Sequence, residues 1–147
     1  MPNHFHFKIR ANENSIKTIT IKDEERNVIS EALRNLLSSY SLAINKQERR
    51  TGSLFTQNTK VKDLNPAPVD WEYPITCFHY IHQNPYVALL VEKIDDWEFS
   101  SFRDYHQLRN GTLCNQILAK EVLKIDFGNF YEESYKSINP DKILKIW

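Results

Sequence analysis

The sequence predicts an α+β domain of 147 residues. Two segments near the start alternate apolar and other side chains, Phe5-His6-Phe7-Lys8-Ile9 and Ile16-Lys17-Thr18-Ile19-Thr20-Ile21, the period of a β-strand. Apolar residues then recur at helical spacing in Ile29, Leu33, Leu36, Leu37, Tyr40 and Ile44, and again in Leu113, Ile117, Leu118, Val122 and Leu123. A hydrophobic share of 41% with 26% charged residues suits one soluble globular unit.

Composition also sets the function classes. No apolar run approaches the ~20 residues of a membrane span, and the start carries neither a basic leader nor an apolar signal core. The expectation is an intracellular, cytoplasmic protein without a membrane partner. Cys77 and Cys114 stand far apart with no Cys-x-x-Cys spacing, so free and largely buried thiols are expected rather than a disulfide framework or zinc cluster. The net charge is zero, but residues 1–70 carry 11 Lys and Arg against 8 Asp and Glu. Within 44–62, Lys46, Arg49, Arg50, Lys60 and Lys62 face only Glu48, a local balance that suits either a phosphate backbone or a solvated helix end.

Taken in order, residues 4–9 read as a first strand and residues 16–21 as a second. Asp23 offers an N-cap and Glu24-Glu25 suit a helix start, giving an amphipathic helix over 24–47 whose stripe, Tyr40 included, reads as a core face. Thr51-Gly52 breaks it, and Ser53 to Val61 reads as extended. Asn65-Pro66-Ala67-Pro68 is a loop, because both prolines oppose regular pairing. A helix starts near Tyr73-Pro74 and ends or kinks at Asn84, since Pro85 disfavours the α conformation before it. A second helical piece follows to about Val91. An aromatic-rich turn at 97–105, a turn at Asn110-Gly111, a helix over 113–125 and a short last helix from Asn139-Pro140 complete the chain.

Chemistry concentrates in two places. On a strand the side chains at i and i+2 leave one face, so His4 and His6 would project together, and two neutral imidazoles can share a divalent cation. On a helix, Tyr80 and Asn84 stack on one face. A phenol, an amide oxygen and two imidazoles form a set that can cleave a phosphodiester, the cation polarising the phosphate and the tyrosine accepting it covalently. The structural alternatives are an ordinary strand face for the histidines, an N-cap role for Asn84 with Pro85 at the first helical position, and a hydrogen-bonded aromatic for Tyr80. His79 and His82 leave other faces of the helix and are not assigned as bases.

Three ordered blocks carry a resemblance: Met1-Pro2-Asn3-His4-Phe5-His6-Phe7, then Gly52-Ser53-Leu54-Phe55-Thr56-Gln57 after the amphipathic helix, then Tyr80-Ile81-His82-Gln83-Asn84-Pro85 with Trp97 and Ser100-Ser101 downstream. Together, over about residues 1–105, they resemble the single-tyrosine HUH transposases, most closely the REP-associated tyrosine transposases. The resemblance implies a ferredoxin-like antiparallel sheet presenting the histidines, with a helix presenting the tyrosine. It implies magnesium or manganese held by His4, His6 and a polar side chain of the tyrosine helix, and Tyr80 as the nucleophile. The product would be a 5′-phosphotyrosine with a free 3′-hydroxyl on single-stranded DNA, at sites associated with DNA hairpins.

The chain departs from that pattern in three ways. Asn84 stands where related transposases often carry glutamine, and Gln83 beside it points ~100° away on a regular helix. The first strand and helix that precede the histidine block in the family are missing, so an N-terminally truncated domain over 1–105 and a helical C-terminal extension over 106–147 are expected. The segment from Leu64 to Tyr73 is long. In the implied complex Lys46, Arg49, Arg50, Lys60 and Lys62 track the DNA backbone and Phe55 stacks a base. The leading expectation is a metal-dependent single-stranded DNA nickase and strand transferase; the alternative is a catalytically inactive hairpin-binding remnant. A site shared between two copies would need a homodimer, which the sequence leaves open.

Overall fold

The computed structural model describes residues 5–55, 60–64 and 72–144. It is α+β, with a two-stranded antiparallel sheet and several helices. The chain divides into two compact units, one of residues 1–7 and 62–147, the other of residues 8–61.

In the second unit a hairpin precedes a long helix. Strands β1 (Thr18–Ile21) and β2 (Glu24–Asn27) pair with Ile21 opposite Glu24 and Thr18 opposite Asn27. Lys22 and Asp23 between them both have positive φ, 51° and 66°, the conformation of the two-residue turns whose twist matches that of paired strands. That turn corrects the expected helix start. Asp23 is a turn residue, Glu24 and Glu25 lie in β2, and the N-cap is Asn27, whose side chain accepts the Ser30 N–H at 3.0 Å. Helix α1 is therefore Val28–Gln47. Glu31 in its first turn is held by Arg34 and Arg26, and these hydrogen bonds draw its carboxyl down to about 2.

The α1 stripe is not the core face that its spacing predicts. Leu36 and Tyr40 are 52% and 54% exposed, while Ile29, Leu33, Leu37 and Ile44 are half-buried. Among the described residues of this unit only Glu31 is fully buried. Two strands of four residues each present too little surface to cover a helix of 20.

The other unit carries the apolar core. Helix α2 (Glu72–Val87) is followed by a 3₁₀ turn at Ile94–Asp96, then α3 (Phe102–Tyr105), α4 (Gln116–Leu123), α5 (Phe130–Tyr135) and α6 (Pro140–Leu144). Phe78, Ile94, Phe102, Tyr105, Leu123, Ile125 and Phe130 pack into one cluster, so the core draws on both sides of residue 105. Burying each phenylalanine contributes ~1.5–3 kcal/mol, and three of the seven core residues are phenylalanines. Asn115 caps α4 by accepting the Leu118 N–H at 2.9 Å, and Lys124 closes it in the left-handed conformation at φ 52°. Cys77 and Cys114 are free thiols, the first buried and the second half-buried.

Pro85 does not break α2. Its missing N–H falls in the final turn, where the amides of Ala88 and Leu90 still reach the carbonyls of Asn84 and Pro85, each at 3.0 Å. Asn84 is thus an interior helical residue and not the cap of a second piece. Residues 5–9 do not form the expected strand, and Phe5, Phe7 and Ile9 are exposed rather than core-facing. Residues 53–55, 60 and 61 likewise form no strand. The Asn65–Pro68 loop lies outside the described residues.

After α3 the chain is tied by a buried carboxylate. Asp104 accepts two hydrogen bonds from Arg109, at 2.8 Å to Oδ1 and 2.6 Å to Oδ2, and one from the Gly111 N–H at 3.1 Å. Arg109 also donates to the carbonyls of Glu98 and Ser100 at 2.9 and 3.1 Å. The guanidinium hydrogen bonds hold the Asp104 carboxyl below the usual carboxylate range. A Cβ on Gly111 would fall against Asp104 Oδ1 and 3.0 Å from its Cγ, and the fork from Arg109 leaves that carboxylate no room to retreat. Gly111→Ala is expected to lower stability by ~1–3 kcal/mol, read as a drop in urea midpoint; a midpoint equal to the parent's would show that the carboxylate can shift.

Candidate functional site

Two of the predicted groups meet within one unit. The Phe5 and Phe7 rings lie 4.9 Å apart, and His6 between them in sequence is half-buried. The His6 imidazole meets the Tyr80 ring edge-on, with centroids 6.2 Å apart and planes at 71°. His4 lies outside the described residues.

Helix α2 fixes what surrounds the phenol. Tyr80 is half-buried, and Asn84 stands one turn further along the same face. Asn84 is only 9% exposed, and its Nδ2 is buried without a hydrogen-bond partner among the described residues. An orphaned buried amide costs ~1–3 kcal/mol, a cost that the packing of α2 does not explain. The two atoms of a side-chain amide are assigned from their hydrogen bonds, so the group has capacity for one further polar contact.

Gln83, the neighbouring candidate, is committed elsewhere. Its Nε2 donates to the carbonyls of Ser134 and Lys136 at 2.7 and 2.8 Å, at the end of α5. His79 bonds Ser134 Oγ through Nδ1 at 3.1 Å. His82 is 1% exposed, enclosed by Phe78, Phe102, Tyr105 and Phe130, with Nε2 2.8 Å from Ser101 Oγ. Burial, reinforced by His79, pushes its pKa down to about 3, so the ring is neutral. Sequence spacing carried a sign of this: Ile75, Phe78 and His82 follow one another at intervals of three and four. The Gln83 tether had none, because its acceptors lie some fifty residues on.

The predicted DNA-binding residues fall in two places. Lys46, Arg49 and Arg50 are exposed at the end of α1, where Arg49 takes a left-handed φ of 50° and Asn45 Nδ2 donates to the Gly52 carbonyl at 2.8 Å. In the same unit Lys60 is exposed, and the Phe55 ring lies 6.0 Å from that of Tyr40. Lys62 belongs to the unit of Tyr80, its Nζ 5.6 Å from the centre of the Tyr73 ring.

Among the described residues no three His, Cys, Asp or Glu side chains are arranged to hold a metal ion. Of the expected ligands, His4 lies outside those residues and Asn84 is an amide. Imidazole nitrogen with amide oxygen is a neutral, borderline donor set, one that suits manganese better than magnesium. His6, against the Tyr80 ring, and Asn84, one turn beyond Tyr80 on α2, fit such a set in chemistry. Among the described residues no helix is long and apolar enough to cross a membrane. Comparison with protein-family models, with curated proteins and with solved structures finds no match.

Proposed function

We propose that the chain is a metal-dependent single-stranded DNA nickase and strand transferase of the HUH transposase type, acting at hairpin-associated sites through Tyr80. The observation that carries this reading is the edge-on contact of His6 with Tyr80, which joins two of the three sequence blocks of the resemblance at one place. The buried, unpartnered amide nitrogen of Asn84 on the same helix face adds to it.

In this reading Tyr80 Oη attacks the scissile phosphorus in line. The Oη–P bond forms, the P–O3′ bond breaks, the phenol proton is lost, and the departing 3′ oxygen takes up a proton. The 5′-phosphotyrosine conserves the ester bond, so a 3′-hydroxyl attacking it rejoins strands. His4, His6 and Asn84 would hold the magnesium or manganese ion, which when bound supplies polarisation of the phosphate. Lys46, Arg49, Arg50, Lys60 and Lys62 would neutralise backbone phosphates and Phe55 would stack a base. A ferredoxin-like sheet belongs to the same proposal; the two-stranded hairpin of β1 and β2 is compatible with it.

The second reading, a hairpin-binding remnant without catalysis, is favoured by the exposed face of α1, which a fuller sheet would cover. One experiment separates the two. The chain is incubated with a pool of fluorescent DNA hairpins bearing randomised single-stranded flanks, while manganese is titrated. The nickase yields a labelled protein band that survives denaturing electrophoresis and depends on metal. Hairpin retention with no such band at any manganese concentration leaves only the remnant.

A further inference from the structure

We infer that Gln83 is the positioning residue of this site, holding α2 at the rotation that presents Tyr80 to His6; the functional part of the inference rests on the reading of Tyr80 as nucleophile. Gln83 is 8% exposed, and its amide nitrogen spans two carbonyls, Ser134 O at 2.7 Å and Lys136 O at 2.8 Å. Those carbonyls close the C-terminal turn of α5, where backbone acceptors have no helical partner of their own. His79, one turn earlier, reaches the side chain of the same Ser134, which is wholly buried. Three hydrogen bonds from two positions of α2 therefore converge on one short stretch of α5.

The geometry makes this a rotational lock. At ~100° per residue, His79 and Gln83 lie ~40° apart on one stripe of α2, and Tyr80 stands ~60–100° around the helix from it. Apolar contacts tolerate sliding and small rotations, whereas a donor shared between two fixed carbonyls does not. The stripe that faces α5 is thereby set, and with it the direction in which the phenol leaves the helix towards His6. The role inferred for Gln83 is exercised through helix orientation, since its amide is committed to the end of α5.

The test uses the full chain with Gln83→Met, which keeps the volume but removes both donors, and Gln83→Glu, which turns a carboxylate towards two carbonyls. In the parent, NMR cross-peaks are expected between the His6 and Tyr80 rings. In a folded Gln83→Met they are expected to weaken or vanish while those between His82 and Phe102 persist. The rate of adduct formation on the selected hairpin at saturation is expected to fall on the order of tenfold, as small misplacements of a nucleophile do, with hairpin affinity unchanged. Parent-level His6–Tyr80 cross-peaks in both variants overturn the inference. So does loss of the whole fold in Gln83→Met, which would make the amide a support of the core rather than a positioner. Adduct persisting in Tyr80→Phe would instead remove the nucleophile reading and leave the ring contact as the remaining measure of Gln83.

Discussion

Replacing Tyr80 with phenylalanine is expected to abolish the covalent protein–DNA adduct while leaving hairpin affinity within about twofold, as fits a change away from the main phosphate contacts. The substitution removes one oxygen and keeps the ring, so the edge-on contact with His6 and the packing on α2 survive. Two nearby hydroxyls are engaged elsewhere: Ser134 is wholly buried and Ser101 is held by His82. In-line attack needs the nucleophile aligned with the leaving oxygen, and a phenyl ring offers none. The measurement is the labelled band after denaturing electrophoresis, with affinity followed by fluorescence anisotropy on the same hairpin. Undiminished adduct in Tyr80→Phe would take Tyr80 out of the chemistry.

What was legible in the sequence is what local periodicity and local chemistry encode. The helicity of α1, the Asn139-Pro140 start of α6 and the closure of α4 near residue 124 all follow from side chains within a few positions of one another. The first turn of α1 was misread because Glu24-Glu25 suit a helix start as well as a strand; only the pairing of β2 with β1 decides between them. Pro85 was misread as a break because its cost depends on how many turns follow, and α2 ends two residues later. At the site, the Tyr80–Asn84 spacing predicts one shared helix face, but nothing in it predicts that Gln83 is engaged by α5. Long-range partners such as Ser134 are set by packing, which no window of sequence contains.

The largest stability effect is expected from pH, through His82. A histidine whose folded pKa is lowered to about 3 binds fewer protons in the folded chain than in the unfolded one, where the value is ordinary. Its contribution is therefore complete above the unfolded pKa of ~6.5 and declines as pH falls below it, at up to ~1.4 kcal/mol per pH unit, levelling off near the folded value. Geometry gives the reason. Nε2 has its partner in Ser101, whereas Nδ1 is buried with no acceptor among the described residues, so a second ring proton would enter an apolar enclosure unpaired. Asp104 does not blur the window: its carboxyl is lowered from an already acidic value, so its share is lost only at lower pH. Urea midpoints taken between pH 7 and pH 5 are expected to fall steeply in the parent. In His82→Gln, which can still hydrogen-bond Ser101 but does not titrate, the slope is expected to flatten over the same range. A parent midpoint that stays level from pH 7 to pH 5 would mean that the ring finds an acceptor or solvent on protonation, and that the core around Phe78 and Phe102 opens to let it.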